Sequence, residues 1–146
     1  MSRMHRVIGT TEEALARAEA QLPHPLPPSF RAWLKENNGL GLDGVEVFPV
    51  LDDRDPGKTW DSIVRQYELW RSYAEDIEVP PSRLMPLLPF GSYGTGDYYC
   101  FCYAAGEGLR EPKVVRWSHE TGETEPRGES FPEFVARLAA GEFEHD

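Results

Sequence analysis

Cysteine is scarce in this sequence: Cys100 and Cys102 are the only two among 146 residues. That count excludes a disulfide framework. C-x-C is neither the C-x-x-C of a redox site nor half of a zinc site with a visible second half. The plainer reading is two small apolar residues in a reduced core, sharing one face if their segment is a strand. Histidine is sparse too, and His5, His24, His119 and His145 offer no H-x-x-x-H spacing for a metal. No apolar run approaches the roughly 18 residues that a membrane-spanning helix needs. The N-terminal segment carries Arg3, His5 and Arg6 but no apolar stretch long enough for a secretory signal, so a cytoplasmic protein is expected. Bases are the minority charge, 15 Lys and Arg against 25 Asp and Glu, for a net charge of −10. Such a field repels nucleic acid and anionic lipid and attracts basic partners, while also serving solubility.

Catalytic signatures are missing as well. Gly94-Thr95-Gly96 lacks the third glycine and the following helix of a dinucleotide turn, and no Lys-Ser or Lys-Thr pair follows it as in a P-loop. There is no G-x-S-x-G. The acidic loop Leu51 to Lys58 invites a calcium reading, but counted from Asp53 the fifth position is Gly57 and the twelfth Val64, so the EF-hand pattern fails. His119 beside Glu120, with Asp97 upstream, suggests acid–base work or a metal. A lone histidine at a strand end is more often a surface side chain. No catalytic residue, metal ligand or cofactor is assigned, and the chain reads as non-enzymatic.

What is present is enough apolar material for a core: 40% of the residues are hydrophobic and 12% of the chain is aromatic, in a length that suits one domain over residues 1–146. Charge is unevenly spread. Residues 43–78 hold ten acids against four bases and residues 107–146 ten against five, whereas residues 79–106 hold only Arg83 and Asp97. The neutral stretch is therefore expected inside.

Thr10 with Glu13 fits a capping box and opens a first helix, with Leu15, Ala18 and Leu22 at helical spacing and Pro23 ending it. A second helix follows Pro28, its stripe marked by Phe30, Trp33 and Leu34, and Asn37-Asn38-Gly39 stops it. Val45, Val47 and Phe48 read as a short strand. Trp60, Ile63, Val64, Tyr67 and Trp70 predict one buried face of a third helix across Thr59 to Ala74. All four tryptophans, Trp33, Trp60, Trp70 and Trp117, are expected in the core. Met85 to Phe90 is a strand whose two prolines place it at an edge or delay its start. Tyr98 to Tyr103, apolar throughout, is the strand expected to be covered on both faces. Lys113 to Ser118 and Glu123 to Arg127 form a hairpin around Glu120-Thr121-Gly122. Ser130 with Glu133 opens a last helix, which Gly141 ends. Helices, then strands, then a helix predict an α+β fold with helices packed on a twisted, mostly antiparallel β-sheet.

Between the two central strands lies Gly91-Ser92-Tyr93-Gly94-Thr95-Gly96-Asp97, a glycine-dense turn ending in one acid. Its glycines admit positive φ or close packing. Such a turn presents a surface instead of assembling a nucleophile and base. An acid in that place also serves to hydrogen-bond the local backbone.

Four segments, in order, resemble the SUKH (Smi/Knr-like) superfamily. They are Leu26-Pro27-Pro28-Ser29-Phe30-Arg31-Ala32-Trp33-Leu34 with Asn38-Gly39; Leu88-Pro89-Phe90-Gly91 with Gly94, Gly96-Asp97-Tyr98-Tyr99; Val114-Val115-Arg116-Trp117 with His119-Glu120; and Ser130-Phe131 with Glu133-Phe134. The resemblance covers residues 7–140 and departs from the pattern at Cys102, where an acid often ends the aromatic strand. It implies a single α+β domain with no catalytic activity of its own. It further implies, for bacterial members, immunity proteins that neutralise polymorphic toxin domains, and for fungal relatives, regulators of cell-wall synthesis and signalling. On that basis the expected partner is a cognate, basic toxin domain, a nuclease fitting the charge best, and a regulatory scaffold is the alternative. The expected contact residues are Ser92, Tyr93 and Asp97 of the turn, His119 and Glu120 at the strand end, and Asp52, Asp53 and Asp55 of the acidic loop. Tyr93 acts as an anchor and the acids as electrostatic contacts.

Overall fold

The structure is a computed structural model that describes residues 9–103 and 111–146. The N-terminal segment with His5, the first residues of the 7–140 span and the stretch after Tyr103 lie outside the described residues.

Helix α1 (Glu12–Glu19) begins one residue later than the capping pattern predicts. Thr11, not Thr10, is the N-cap, its hydroxyl accepting from Ala14 N–H at 3.2 Å. Thr10 is otherwise engaged, donating to Asp52 Oδ2 at 2.8 Å. Helix α2 (Pro28–Asn37) starts on a proline, which supplies the helical φ where no N–H partner exists. It ends at Asn38, whose buried amide pairs with both the N–H and C=O of Val50. Strand β1 is only Glu46–Val47.

The expected third helix is two. A short turn, α3 (Pro56–Thr59), closes the acidic loop, and α4 (Ile63–Asp76) starts afresh at the Ser62 N-cap. Trp60 falls in the break and is exposed instead of buried. Another short turn, α5 (Pro81–Leu84), leads to β2 (Leu87–Ser92), β3 (Tyr98–Cys102), β4 (Lys113–Trp117), β5 (Thr124–Gly128) and helix α6 (Phe131–Ala139). Ser130 caps α6 as its sequence predicts.

The five strands pair in the order β1-β2-β3-β4-β5, every pair antiparallel. Strand β2 is thus an inner strand, not an edge. The prolines are tolerated because it starts only after Pro86, and because β1 reaches no farther than Gly91 and Ser92. Pro89 sits where β2 has one strand neighbour, next to a register shift between Pro89 and Gly91.

Alternation along β3 divides the core. Tyr99 and Phe101 face Phe30 of α2 and Phe131 and Phe134 of α6. Cys100 faces the opposite way, into a second cluster with Trp70 and Ala74 of α4, Val115 and Trp117. Cys102 packs beside Cys100 on that face, as period two requires, and both are free thiols. Helices therefore cover the central strand from both sides, and both hairpin turns project from one end of the sheet.

Candidate partner-binding site

The β2–β3 turn and the β4–β5 turn are joined by one carboxylate. Asp97 is 5% exposed. Its Oδ1 accepts from the His119 backbone N–H at 2.9 Å and meets the His119 ring at Nδ1, while its Oδ2 pairs with Arg116. Burial acts to raise its pKa. The bonds from His119 and the charge of Arg116 outweigh that and hold it below the usual carboxylate range. The Asp97 carboxylate does accept from a backbone N–H, but across to the neighbouring strand's end; within its own turn only the Asp97 main chain is bonded, its C=O accepting from Tyr93 N–H at 3.4 Å.

Register explains the meeting. Tyr99 pairs with Arg116 and Tyr98 with Trp117, so Asp97 lies beyond the end of β3 level with the residues that follow Trp117. Gly96, at φ +96°, lets the turn close against the His119 ring, which stands 3.5 Å from where a Cβ would be.

Two further contacts fasten this end to the helices. Tyr73 of α4 donates to the His119 carbonyl at 2.5 Å, and Arg83 of α5 donates to the Gly122 carbonyl at 2.8 Å. Gly122, at φ +73°, is pressed on Val79.

The cluster continues under the C-terminal residues. Arg116 also reaches Glu125 at 3.4 Å, and its Nε lies 4.0 Å from Asp146. Asp146 accepts from Arg127 Nε at 2.9 Å, from Arg127 Nη2 at 2.8 Å and from the Tyr99 hydroxyl at 2.8 Å. Burial first, then the Asp146 bond, raises the Tyr99 phenol, whereas Arg127 and Tyr99 overcome burial to lower Asp146.

Ser92 and Tyr93 are half-buried, Tyr93 with its ring beside Tyr99 (centroids 6.5 Å apart) and close to Gly44. Glu120 is exposed. Ser92, Tyr93, Asp97, His119 and Glu120 are thus brought to one end of the sheet. The acidic loop is elsewhere, and among the described residues no hydrogen bond or ion pair joins it to those turns. Within it Asp52 is 3% exposed and is held by Arg54 at 2.7 Å and by Thr10. The Arg54 bond, against burial, drives the Asp52 carboxyl far down. Asp53 is open to solvent with Arg17 3.8 Å away, and Asp55 is half-buried.

Chemically the hairpin end is a clamp. The His119 ring bonds Asp97, but Ser118 Oγ is spent on the Glu120 and Thr121 backbone N–H groups and does not meet that ring. Among the described residues no three His, Cys, Asp or Glu side chains converge as metal ligands, and no helix is long and apolar enough to cross a membrane.

Arg116, Arg127, Tyr99 and Asp146 are absent from the sequence-based site. Arg116 carried a signal, a charge set between the apolar Val114 and Val115 on one side and Trp117 on the other. Asp146 carried none.

With these turns in place, the family comparison is decisive: the SMI1/KNR4 family (SUKH-1) matches residues 9–137. The chain belongs to the SMI1/KNR4 family. No curated protein matches it closely enough to count as a relative. The SUKH-1 match takes in every candidate contact residue from Asp52 to Glu120, together with Arg116 and Arg127, and leaves Asp146 outside. The α+β architecture described above is that of a SUKH protein.

Proposed function

We propose that this SUKH-1 protein is a non-catalytic immunity protein, a stoichiometric inhibitor that binds one polymorphic toxin domain in the cytoplasm and occludes its working surface. Membership of the SMI1/KNR4 family over residues 9–137 carries the reading. Charge supports it: a net charge of −10 suits a basic partner, and nucleases must be basic to hold phosphate. Neither nucleic acid nor membrane is its target.

Ser92, Tyr93, His119 and Glu120 form the contact surface at the hairpin end, Tyr93 as its anchor. Asp97 acts through them as a positioning residue, because it is buried and ties the two turns. Asp53 and Asp55 supply charge from the acidic loop, and Asp52 fixes that loop's shape.

The test is capture of the protein from native extract, with mass spectrometry of whatever copurifies at one-to-one stoichiometry. A single toxin C-terminal domain is the expected result. A set of housekeeping signalling proteins would replace immunity by a regulatory scaffold role.

A further inference from the structure

Trp60 departs from the chain's other tryptophans. Trp70 and Trp117 are fully buried and Trp33 half-buried, whereas Trp60 is 57% exposed. Its backbone is nevertheless fixed on both sides. Thr59 Oγ1 accepts from Asp52 N–H at 2.9 Å and donates to the Asp55 carbonyl at 2.9 Å. Ile63 N–H donates to the Pro49 carbonyl at 2.7 Å, and Ser62 caps the helix that follows. The indole is backed by the Arg65 guanidinium, 4.7 Å from the ring centroid, which Asp61 holds at 2.6 Å.

Residues flanking Trp60 in the chain line two depressions. Lys58 and Asp61 border a cleft of about 130 Å³ with Leu40, Gly41 and Val47, along the outer edge of β1. Ser62, Val64 and Arg65 border a groove of about 340 Å³ with Leu51. Leu40 and Leu51 are both exposed. Unpaired acids outnumber unpaired bases around these depressions. Glu46 and Glu68 in their walls and Asp55 in the adjoining loop form no ion pair among the described residues, against Lys58 alone among the bases, while Arg65 and Arg17 are already matched by Asp61 and Asp53.

A single exposed apolar side chain is ordinary. An exposed tryptophan on a fixed backbone, whose chain neighbours border two depressions that also hold exposed leucines and carry a net excess of unpaired acids, has the anatomy of an interface anchor with a polar rim. A second copy fits poorly, because each chain carries −10 and like rims would meet.

We propose that Trp60 anchors a docking surface for a basic protein domain, its indole entering an apolar slot while the surrounding acids meet the partner's Lys and Arg. The proposal rests on the toxin-binding reading above; it shares Asp55 with that reading's acidic loop and adds Trp60, with Leu40 and Leu51 beside it, as an anchor away from the hairpin end.

The experiment titrates wild-type and variant protein against the purified, catalytically inactivated toxin domain by calorimetry and stopped flow. Trp60→Ala removes an exposed side chain and retains the fold, checked by circular dichroism. It is expected to weaken binding about 30-fold or more, the size of an anchor's loss, with Trp60→Phe recovering most of it. Glu46→Lys with Asp55→Lys slows association. Acrylamide quenching of wild-type tryptophan fluorescence falls in the complex, because Trp60 is the most exposed indole. A tight complex that Trp60→Ala leaves unchanged overturns this surface and leaves the toxin-binding reading standing. No complex with wild-type protein overturns both. A homodimer that Trp60→Ala disperses overturns the basic partner in favour of a second copy.

Discussion

Asp97 is a residue whose type was legible in the sequence and whose partners were not. An acid after three closely spaced glycines marks a turn, and His119 marks a strand end. Their meeting depends on the β3–β4 register, and the role of Arg116 on which face of β4 it occupies. Neither is visible in a linear pattern. Removing the carboxylate leaves the His119 backbone N–H and ring without their acceptor and takes from Arg116 its most buried ion-pair partner. Asp97→Ala is therefore expected to cost about 2–4 kcal/mol in urea unfolding, and a loss under 1 kcal/mol would contradict the clamp. Three aspartates among the described residues, Asp52, Asp97 and Asp146, are held below their ordinary range. A depressed folded pKa means that the unfolded chain binds more protons on acidification. The stability they contribute is complete above the unfolded value of about 3.9 and is lost as pH falls through the folded values. The urea midpoint should drop steeply below about pH 4, and Asp52→Asn should flatten that limb.

Elements were most legible where local chemistry announced their ends. Ser130 opens α6 and Pro28 opens α2 because caps and helix-start prolines act within a few residues. The start of α4 was misplaced because Trp60 continues the apolar period of Ile63, Tyr67 and Trp70 while the Ser62 cap interrupts the helix. Periodicity sees the face but not the break. The β4–β5 hairpin offers a test at this scale. A Cβ on Gly122 would lie 2.4 Å from Val79 Cγ2, at a φ of +73° that L residues avoid. Gly122→Ala is expected to destabilise by about 1–3 kcal/mol, and Val79→Ala in the same chain should restore the steric part. If the hairpin contacts the partner, Gly122→Ala also weakens the complex by more than its effect on folding.

For the whole molecule, the α+β class followed from the order of elements, helices then strands then a helix, and the two-sided cover of β3 from the absence of alternation in Tyr98 to Tyr103. Which helix takes which face did not, since that requires strand pairing. Charge acts at this scale, because the acids concentrate in the outer segments and not in the core. Between about 0.01 and 0.1 M salt the Debye length shrinks from about 30 to about 10 Å. The association rate with a basic toxin domain is expected to fall several-fold over that range, with dissociation little changed, as stopped-flow mixing would record. A flat on-rate would remove steering from the account. The central strand also carries its own clock. Cys100 is completely enclosed and burial pushes its thiol well up, while Cys102, two residues along, is only half-covered. A thiol reagent in excess should therefore be consumed in two phases. The fast one reports breathing at the strand's end, and the slow one counts how often the entire sheet comes apart, with no denaturant added.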